Sequence, residues 1–507
     1  MRELYSYAEE LKINLIENSN WNKIISIFVV TNIYQMKKTY DKLNYDRLYT
    51  PTGDPFADVG GYALKEFAKR YSDLDILEII MKATDIYVDS WKGKINPFFL
   101  NSKITQPAFS LERKKEETKK YFEGLLTEET FGELGVCRIA GNKTKLFPAG
   151  RDNTVLSGSG TLVNYHHAFQ PGIMLSKEVI IRYHFLPLGC ELLMGRIAVI
   201  HCNNSEITEL FATECCNRNL NALGRGVSDG VLKSKSRSPG TALFRFIDGV
   251  VEKIKQYSDE ISGHYAISLY HFTNFGASPD VEIYTLPFEV FRFYRTIQKN
   301  YTVKKQWNTF VAGYYTNSDY KTAKYDETKD AYLYSDKNDL VSISENDFRY
   351  WRNRIYEKLI NYQSIVSNLL RYARKHELSW ELVKIYQLNI RKMKKETLEK
   401  IDQMAEFILS SNDEHDIKKV IQKLDNVKNS YLLRRFVLKD VVSKYYNEGN
   451  SEAIVTVEDY AEYLFPDTNS WQETRDVLLI SLYQKLHERK VHIDAELQDD
   501  DNLMDEF

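Results

Sequence analysis

Between residues 139 and 204 a stretch rich in glycine, asparagine and cations runs directly into the longest apolar run of the chain, so any fold must mount permissive backbone on a buried support. Up to Gly172 it holds Gly141, Gly150, Gly158, Gly160, Asn142, Asn153, Asn164, Lys143, Lys145 and Arg151, with little apolar periodicity. Such a composition keeps the backbone exposed and free to take conformations closed to other residues. From Ile173 to Ile200 the pattern is that of a buried scaffold. Recognition concentrates on loops held by rigid elements, so the functional question begins here.

A chain of 507 residues is too long for one hydrophobic core, and about two to four domains are expected. The formal net charge of −3 gives no global attraction to nucleic acid, so any such binding must come from local clusters. With 35 Tyr and 25 Phe against 11 Pro, the composition is that of a folded protein. No charged n-region with an apolar h-region follows Met1, and no apolar run is long enough to span a membrane, so a cytoplasmic location is expected. Cys137, Cys190, Cys202, Cys215 and Cys216 have no CxxC spacing and read as buried free thiols.

Periodicity predicts helices over 2–43, from Ala63 to Tyr71 with Asp58 as a cap, over most of 74–127, and over 205–218 and 242–257. The run ERKKEETKK (112–120) reads as a solvated helix face. Residues 221–240, rich in Gly and Ser and basic, read as a mobile loop; 264–272 and 281–284 read as strands. No period is evident in the Tyr- and Asp-rich connector before 340, and beyond 346 helix follows helix. The expected fold is α+β: a mixed N-terminal and central domain over 1–340 and a helical bundle over 341–507.

Charge is segregated within that bundle. From Arg349 to Lys444 there are 21 Lys/Arg against 12 Asp/Glu, a net of +9, whereas 445–507 has 4 against 16, a net of −12. Arg371, Arg374, Lys375, Arg391, Lys392, Lys394, Lys395, Lys418, Lys419, Arg434 and Arg435 fit an electrostatic footprint for phosphate backbone. The competing reading is a solvated face paired internally with the acidic end, and the two readings stay open. The ending DAELQDDDNLMDEF is expected to be disordered and to aid solubility or to screen the basic face.

No P-loop, GxGxxG, GxSxG, HExxH or kinase signature is present. The pair His166 and His167 beside Asn164 could bind metal or relay protons, but neighbours on a strand point to opposite faces and no carboxylate is close in sequence. His184 and His201, in or beside apolar runs, read as core histidines. The loop is better suited to recognition: Asn142, Lys143, Lys145, Arg151, Asn153 and Asn164 supply amide and cationic donors, and the glycines let backbone approach a groove. Lys233, Lys235 and Arg237 add a basic segment for phosphate contact.

Four separated phrases, TGDPFADVGG (52–61), SGSGTLVNYHHAFQPGI (157–173), FLPLG (185–189) and LYHFTNFGASPDVEIYTLP (269–287), together resemble the large subunits of type I, particularly I-B, CRISPR Cascade surveillance complexes. Many members of that family carry a CxxC pair where this chain has Ser176 and Val179, and some fifty residues here precede an element that usually lies close to the N-terminus. The resemblance implies a non-catalytic antiviral-defence subunit, without cofactor or metal, that checks the protospacer-adjacent motif, helps open the duplex, anchors the CRISPR RNA and recruits the helicase-nuclease. Its partners would be the CRISPR RNA, other Cascade subunits, and target duplex and displaced single-stranded DNA, with no membrane. Base pairing would read the target while protein reads only the short motif, a division known from another effector class. In the family the helical bundle resembles the small subunit that guides the displaced strand; Met393 or Met404 is a candidate internal start for a separate copy. Two other readings are a metal-dependent nuclease or hydrolase using His166 and His167, and a structural protein binding acidic partners through its basic bundle.

Overall fold

The computed structural model describes residues 37–130, 132–158, 172–257, 265–274, 280–336, 339–411, 413–466 and 470–491. The chain is α+β and divides into two compact units, one of Met1–His201, Ser205–Lys233 and Tyr270–Glu282, the other of Cys202–Asn204, Ser234–Leu269 and Ile283–Phe507. Most of the helical segment expected over 2–43, and the acidic ending from 492, lie outside the described residues.

In the first unit, helix α1 (Pro55–Ala68) begins where Asp54 accepts hydrogen bonds from the amides of Phe56 and Ala57 and Pro55 fills the first helical position. The sequence-based start at Ala63 is too late, and Asp58 is no cap: it is buried and turned to other partners. Gly60 and Gly61 sit mid-helix, where each costs about 1 kcal/mol relative to Ala. Close packing requires them. A Cβ on Gly60 would lie 2.1 Å from the Arg182 carbonyl oxygen, and one on Gly61 would lie 2.7 Å from that of Leu48.

Helix α2 (Ile76–Asp85) opens with a reciprocal box between Asp75 and Glu78. Helix α3 (Leu111–Thr127), capped by Ser110, turns much of the ERKKEETKK run to solvent and buries Thr118, Phe122, Leu125 and Leu126. Strands β1 (Glu133–Val136), β2 (Lys143–Ala149) and β3 (Ile173–Ser176) form an antiparallel sheet in that order, with Phe147 opposite Leu175. Helix α4 (Lys177–Phe185), capped by Ser176, is buried along its whole length, Lys177, Glu178, Arg182 and His184 included. Strands β4 (Glu191–Leu193), β5 (Arg196–Cys202), β6 (Ile267–Thr273) and β7 (Asp280–Leu286) make a sheet in that order, and α5 (Ser205–Gly224) packs on α1.

Residues 221–240 are not a free loop. The Leu232 amide donates to Asn219 Oδ1 at 2.9 Å, the Leu232 carbonyl accepts from Leu192, and Val231, Ser236 and Ser238 are buried. All five cysteines are free and buried. Burial holds the His184 imidazole neutral, its pKa pushed down to about 4, with Nε2 3.2 Å from Thr84 Oγ1.

The second unit contains α6 (Pro239–Tyr257), α7 (Phe288–Gln298) and α8 (Tyr301–Ala312), joined through an aromatic core in which Phe244 stacks on Tyr356 at 4.2 Å and Trp307 Nε1 donates to Tyr294. Strand β8 (Tyr315–Thr316) follows. Three short strands, β9 (Lys324–Asp326), β10 (Ala331–Asp336) and β11 (Asp339–Ser344), then form a sheet in the order β11-β10-β9, in a region where the sequence shows no period. After the one-turn α9 (Glu345–Phe348), strand β12 (Arg352–Asn353) pairs with β8. The rest is helical: α10 (Arg354–Ile360), α11 (Val366–Ala373), α12 (Trp380–Tyr386), α13 (Lys395–Ile408), α14 (Glu414–Asp425), α15 (Ser430–Phe436), α16 (Ser443–Asn447) and α17 (Trp471–Glu488). Helix α17 is buried from Val477 to Leu486, with α11, α13 and α14 packed around it.

Candidate nucleic-acid interface

The loop that carries the expected recognition residues is organised by backbone first. The Cys137 amide donates to the Asn142 carbonyl and the Gly141 amide to that of Cys137, with Gly141 at φ +66°, which closes the β1–β2 turn. Lys143 is exposed at the start of β2 opposite Val136. Lys145 is turned back: its ammonium donates to the Glu128 carbonyl at 2.8 Å.

Asn153 is a clamp. Its Oδ1 accepts from the Gly150 amide at 2.9 Å and its Nδ2 donates to the Tyr121 hydroxyl at 2.6 Å, so both ends of the amide hold the loop to α3. In contrast, both polar atoms of Asn142 and the Arg151 Nε are buried without a partner among the described residues. Of the described loop residues, then, Lys143 is open to a ligand, Asn142 and Arg151 keep unpartnered polar atoms, and Lys145 and Asn153 are engaged internally. Asn164, His166 and His167 lie outside the described residues. Among those described, no group of three or more His, Cys, Asp or Glu is placed to hold a metal ion.

Elsewhere in the first unit, α1 and α4 are locked together by a buried ion pair. Arg182 Nη2 donates to Asp58 Oδ1 at 2.6 Å, Nε to the Ala57 carbonyl and Nη1 to that of Thr50. Asp58 also accepts from the Thr52 amide and hydroxyl and from the Gly53 amide, and His201 Nε2 lies 3.5 Å away. Burial works against the Asp58 charge, but the hydrogen bonds and the Arg182 guanidinium hold its carboxyl below the usual range. His201 thus serves the lock, and the sequence signal for the lock was only Asp58, the second aspartate of TGDPFADVGG.

Lys233, Lys235 and Arg237 are exposed but not wholly free. Lys233 lies 3.5 Å from Asp229; Arg237 Nη1 donates to Asp319 at 2.5 Å; Lys235 sits over the Tyr350 ring at 5.5 Å. In the bundle, Arg391 makes a two-pronged contact with Glu473, at 2.7 and 2.9 Å, and that hydrogen bonding raises its pKa. Lys392 pairs with Glu289 at 3.5 Å, Lys394 lies over Tyr463 at 5.0 Å, and Lys395 pairs with Glu399 at 3.1 Å. The expected internal pairing of basic and acidic parts therefore exists, at Arg391 with Glu473 and again at Lys400 with Asp459.

Other cations are better placed to meet a polyanion. Lys428, Arg435, Lys439 and Lys444 are exposed without an ion pair among the described residues, interleaved with exposed Tyr431, Leu432, Leu438 and Tyr446. Cations alternating with exposed rings are suited to phosphate contact combined with base stacking. The tyrosines and Lys439 were not singled out from sequence, although YLLRRFVLKD carried the signal.

A family described as the DevT C-terminal domain matches residues 373–507, which covers these helices. No curated protein matches the chain. Among the described residues no helix is long and apolar enough to cross a membrane.

Proposed function

We propose that the chain is a non-catalytic large subunit of a type I, I-B-like CRISPR Cascade complex that checks the motif beside the target, assists duplex opening and recruits the helicase-nuclease. What supports this reading is that three of the four family-like phrases, far apart in sequence, meet side by side. Phe56 of the first contacts Phe272 of the last, ring centroids 4.7 Å apart, and a Cβ on Gly189 of FLPLG would come within 3.0 Å of Val59 and Ala63. Phrases that depend on one another for packing are what a family signature consists of; chance matches have no such reason to converge. In this reading Lys143 and Arg151 face duplex DNA, Asn153 positions the loop, and the helices after residue 425 take single-stranded DNA.

The test is co-expression with neighbouring genes and a repeat-spacer RNA, followed by binding to duplexes with and without the adjacent motif. Co-purification of the RNA is expected, and Arg151→Gln is expected to weaken the motif-bearing duplex more than the motif-free one. A chain that enters no RNA-containing assembly, or an Arg151 variant that weakens both duplexes equally, sinks the corresponding part. The exposed apolar residues between cations in α15 and beyond also favour a second reading, docking of an acidic protein partner. Competition by single-stranded DNA separates the two.

A further inference from the structure

Within the second unit a cavity of about 110 Å³ opens among α6, α8, the end of α9 and α10, with a mainly polar wall. It has room for several waters or for one tetrahedral oxyanion, since a single water needs only ~10–15 Å³ on this measure. Arg245, Lys304 and Arg349 bring three cations to the wall, and Asp248 and Glu252 bring two acids. Lys304 and Glu252 pair with one another at 3.2 Å, and Arg349 pairs with Glu345.

Two groups are left over. The Arg245 guanidinium lies 3.9 Å from the Tyr350 ring centroid, and among the described residues it makes no hydrogen bond or ion pair. The Asp248 carboxyl likewise has no hydrogen bond or ion pair there, although the three cations act on it through space. A fork of donors and a carboxyl, both without a partner among the described residues and both lining one small polar space, suit a ligand with several acceptor oxygens.

We propose that this cavity binds a tetrahedral oxyanion, a phosphate or sulfate group, held between Arg245, Lys304 and Arg349 with Asp248 on the facing wall. The cations outnumber the acids, so a cationic ligand is disfavoured. Burial raises the Asp248 carboxyl to about 7 against the opposing pull of Lys304, Arg349 and Arg245, with Glu252 adding to the rise. When protonated it donates to the anion; when ionised it repels it. Tyr315 and Tyr356, the remaining titratable groups in the wall, are pushed further up by burial and stay neutral. Occupancy therefore falls as pH rises through about 7. The site stands apart from the nucleic-acid reading, and failure of either leaves the other intact.

Sulfate is the probe of choice because its charge is constant from pH 6 to 8. Calorimetric titration into the full chain at fixed ionic strength is expected to show one saturable site. Affinity should be about tenfold higher at pH 6 than at pH 8, because the protonated share of a group near pH 7 drops from ~90% to ~10%. Asp248→Asn should bind with no pH dependence, and Arg245→Gln should lose about tenfold or more. Lys304→Gln provides a second variant should Arg245→Gln fail to fold. A thermal midpoint that sulfate raises no more than chloride at matched ionic strength, or wild-type affinity in whichever cation variant folds, overturns the proposal. A separate phosphate titration at pH 6 tells whether a phosphate monoanion is accepted in the same place; variants that lose sulfate but retain phosphate would also overturn it.

Discussion

Removing the Asp58 carboxylate is the sharpest perturbation the fold offers. In Asp58→Ala the Arg182 guanidinium stays buried, its side chain only 1% exposed, with its charge unanswered, and the amides of Thr52 and Gly53 lose their acceptor. Breaking a buried pair by deleting one partner costs about 3–5 kcal/mol. For a unit of this size 1 kcal/mol moves the thermal midpoint by about 2–4 °C, so the first unit should melt roughly 6–20 °C earlier. The double variant Asp58→Ala/Arg182→Met should cost less than the two single changes summed, since it leaves no lone charge. The assay is urea and thermal unfolding followed by circular dichroism, with the two units treated as separate transitions. The Asp58 carboxyl is held below its usual value, so its contribution is complete above the unfolded carboxylate range near ~3.9 and is lost as pH falls through the folded value. Wild type should therefore lose this stability at acid pH and Asp58→Ala should not. A loss under ~1 kcal/mol at neutral pH, or an unchanged acid limb, refutes the reasoning.

His184 works in the same direction at milder pH: its pKa is lowered to about 4, so unfolded chains bind a proton that the folded one refuses. Stability should fall by about 3 kcal/mol between pH 6.5 and 4, and His184→Gln should flatten that limb in urea titrations. Asn153→Ala, which frees the Gly150 amide and the Tyr121 hydroxyl, should destabilise by about 1–3 kcal/mol, whereas Lys143→Gln should leave the melting curve unchanged and weaken duplex binding. Arg391→Gln should lower stability by about 1.5–3 kcal/mol through loss of the Glu473 contact and leave the salt slope of DNA binding alone. Replacing Lys428, Arg435 and Lys439 together by Gln should reduce the log-affinity slope against log salt for single-stranded DNA by about 2, read by fluorescence anisotropy; an unchanged slope removes these residues from the interface.

Long-period features of the fold were legible in the sequence and its tight contacts were not. The helices over 205–224 and 239–257, the strands around 267–273 and 280–286, and the helical C-terminal part follow from apolar spacing. The start of α1 was misplaced because Gly60 and Gly61 look like a turn, and only the approach of Arg182 explains their use inside a helix. Strands β9 to β11 escaped notice because they are short and mostly solvent-facing, with Ala331 and Tyr332 the buried residues among them. The segment 221–240 looked mobile by composition, but its anchors, Asn219 and Leu192, come from other elements. In the candidate interface, residue type alone did not tell a clamp from a residue with polar atoms left over. Asn142 and Asn153 are the same side chain in the same loop, and the Gly150 amide and the Tyr121 hydroxyl within reach of Asn153 separate them.

The meeting of Gly60, Gly61 and Arg182 also limits how this chain can vary. A methyl at either glycine collides with the backbone of Arg182 or Leu48, and no rotamer change relieves a collision with backbone. Loss of Arg182 would in turn strand Asp58. The aspartate and the arginine therefore form one heritable unit, kept or replaced together, whereas the two glycines are fixed by backbone whatever side chain stands at 182; among folded variants recovered from a random library, lone changes at 58 or 182 and any change at either glycine should be rare.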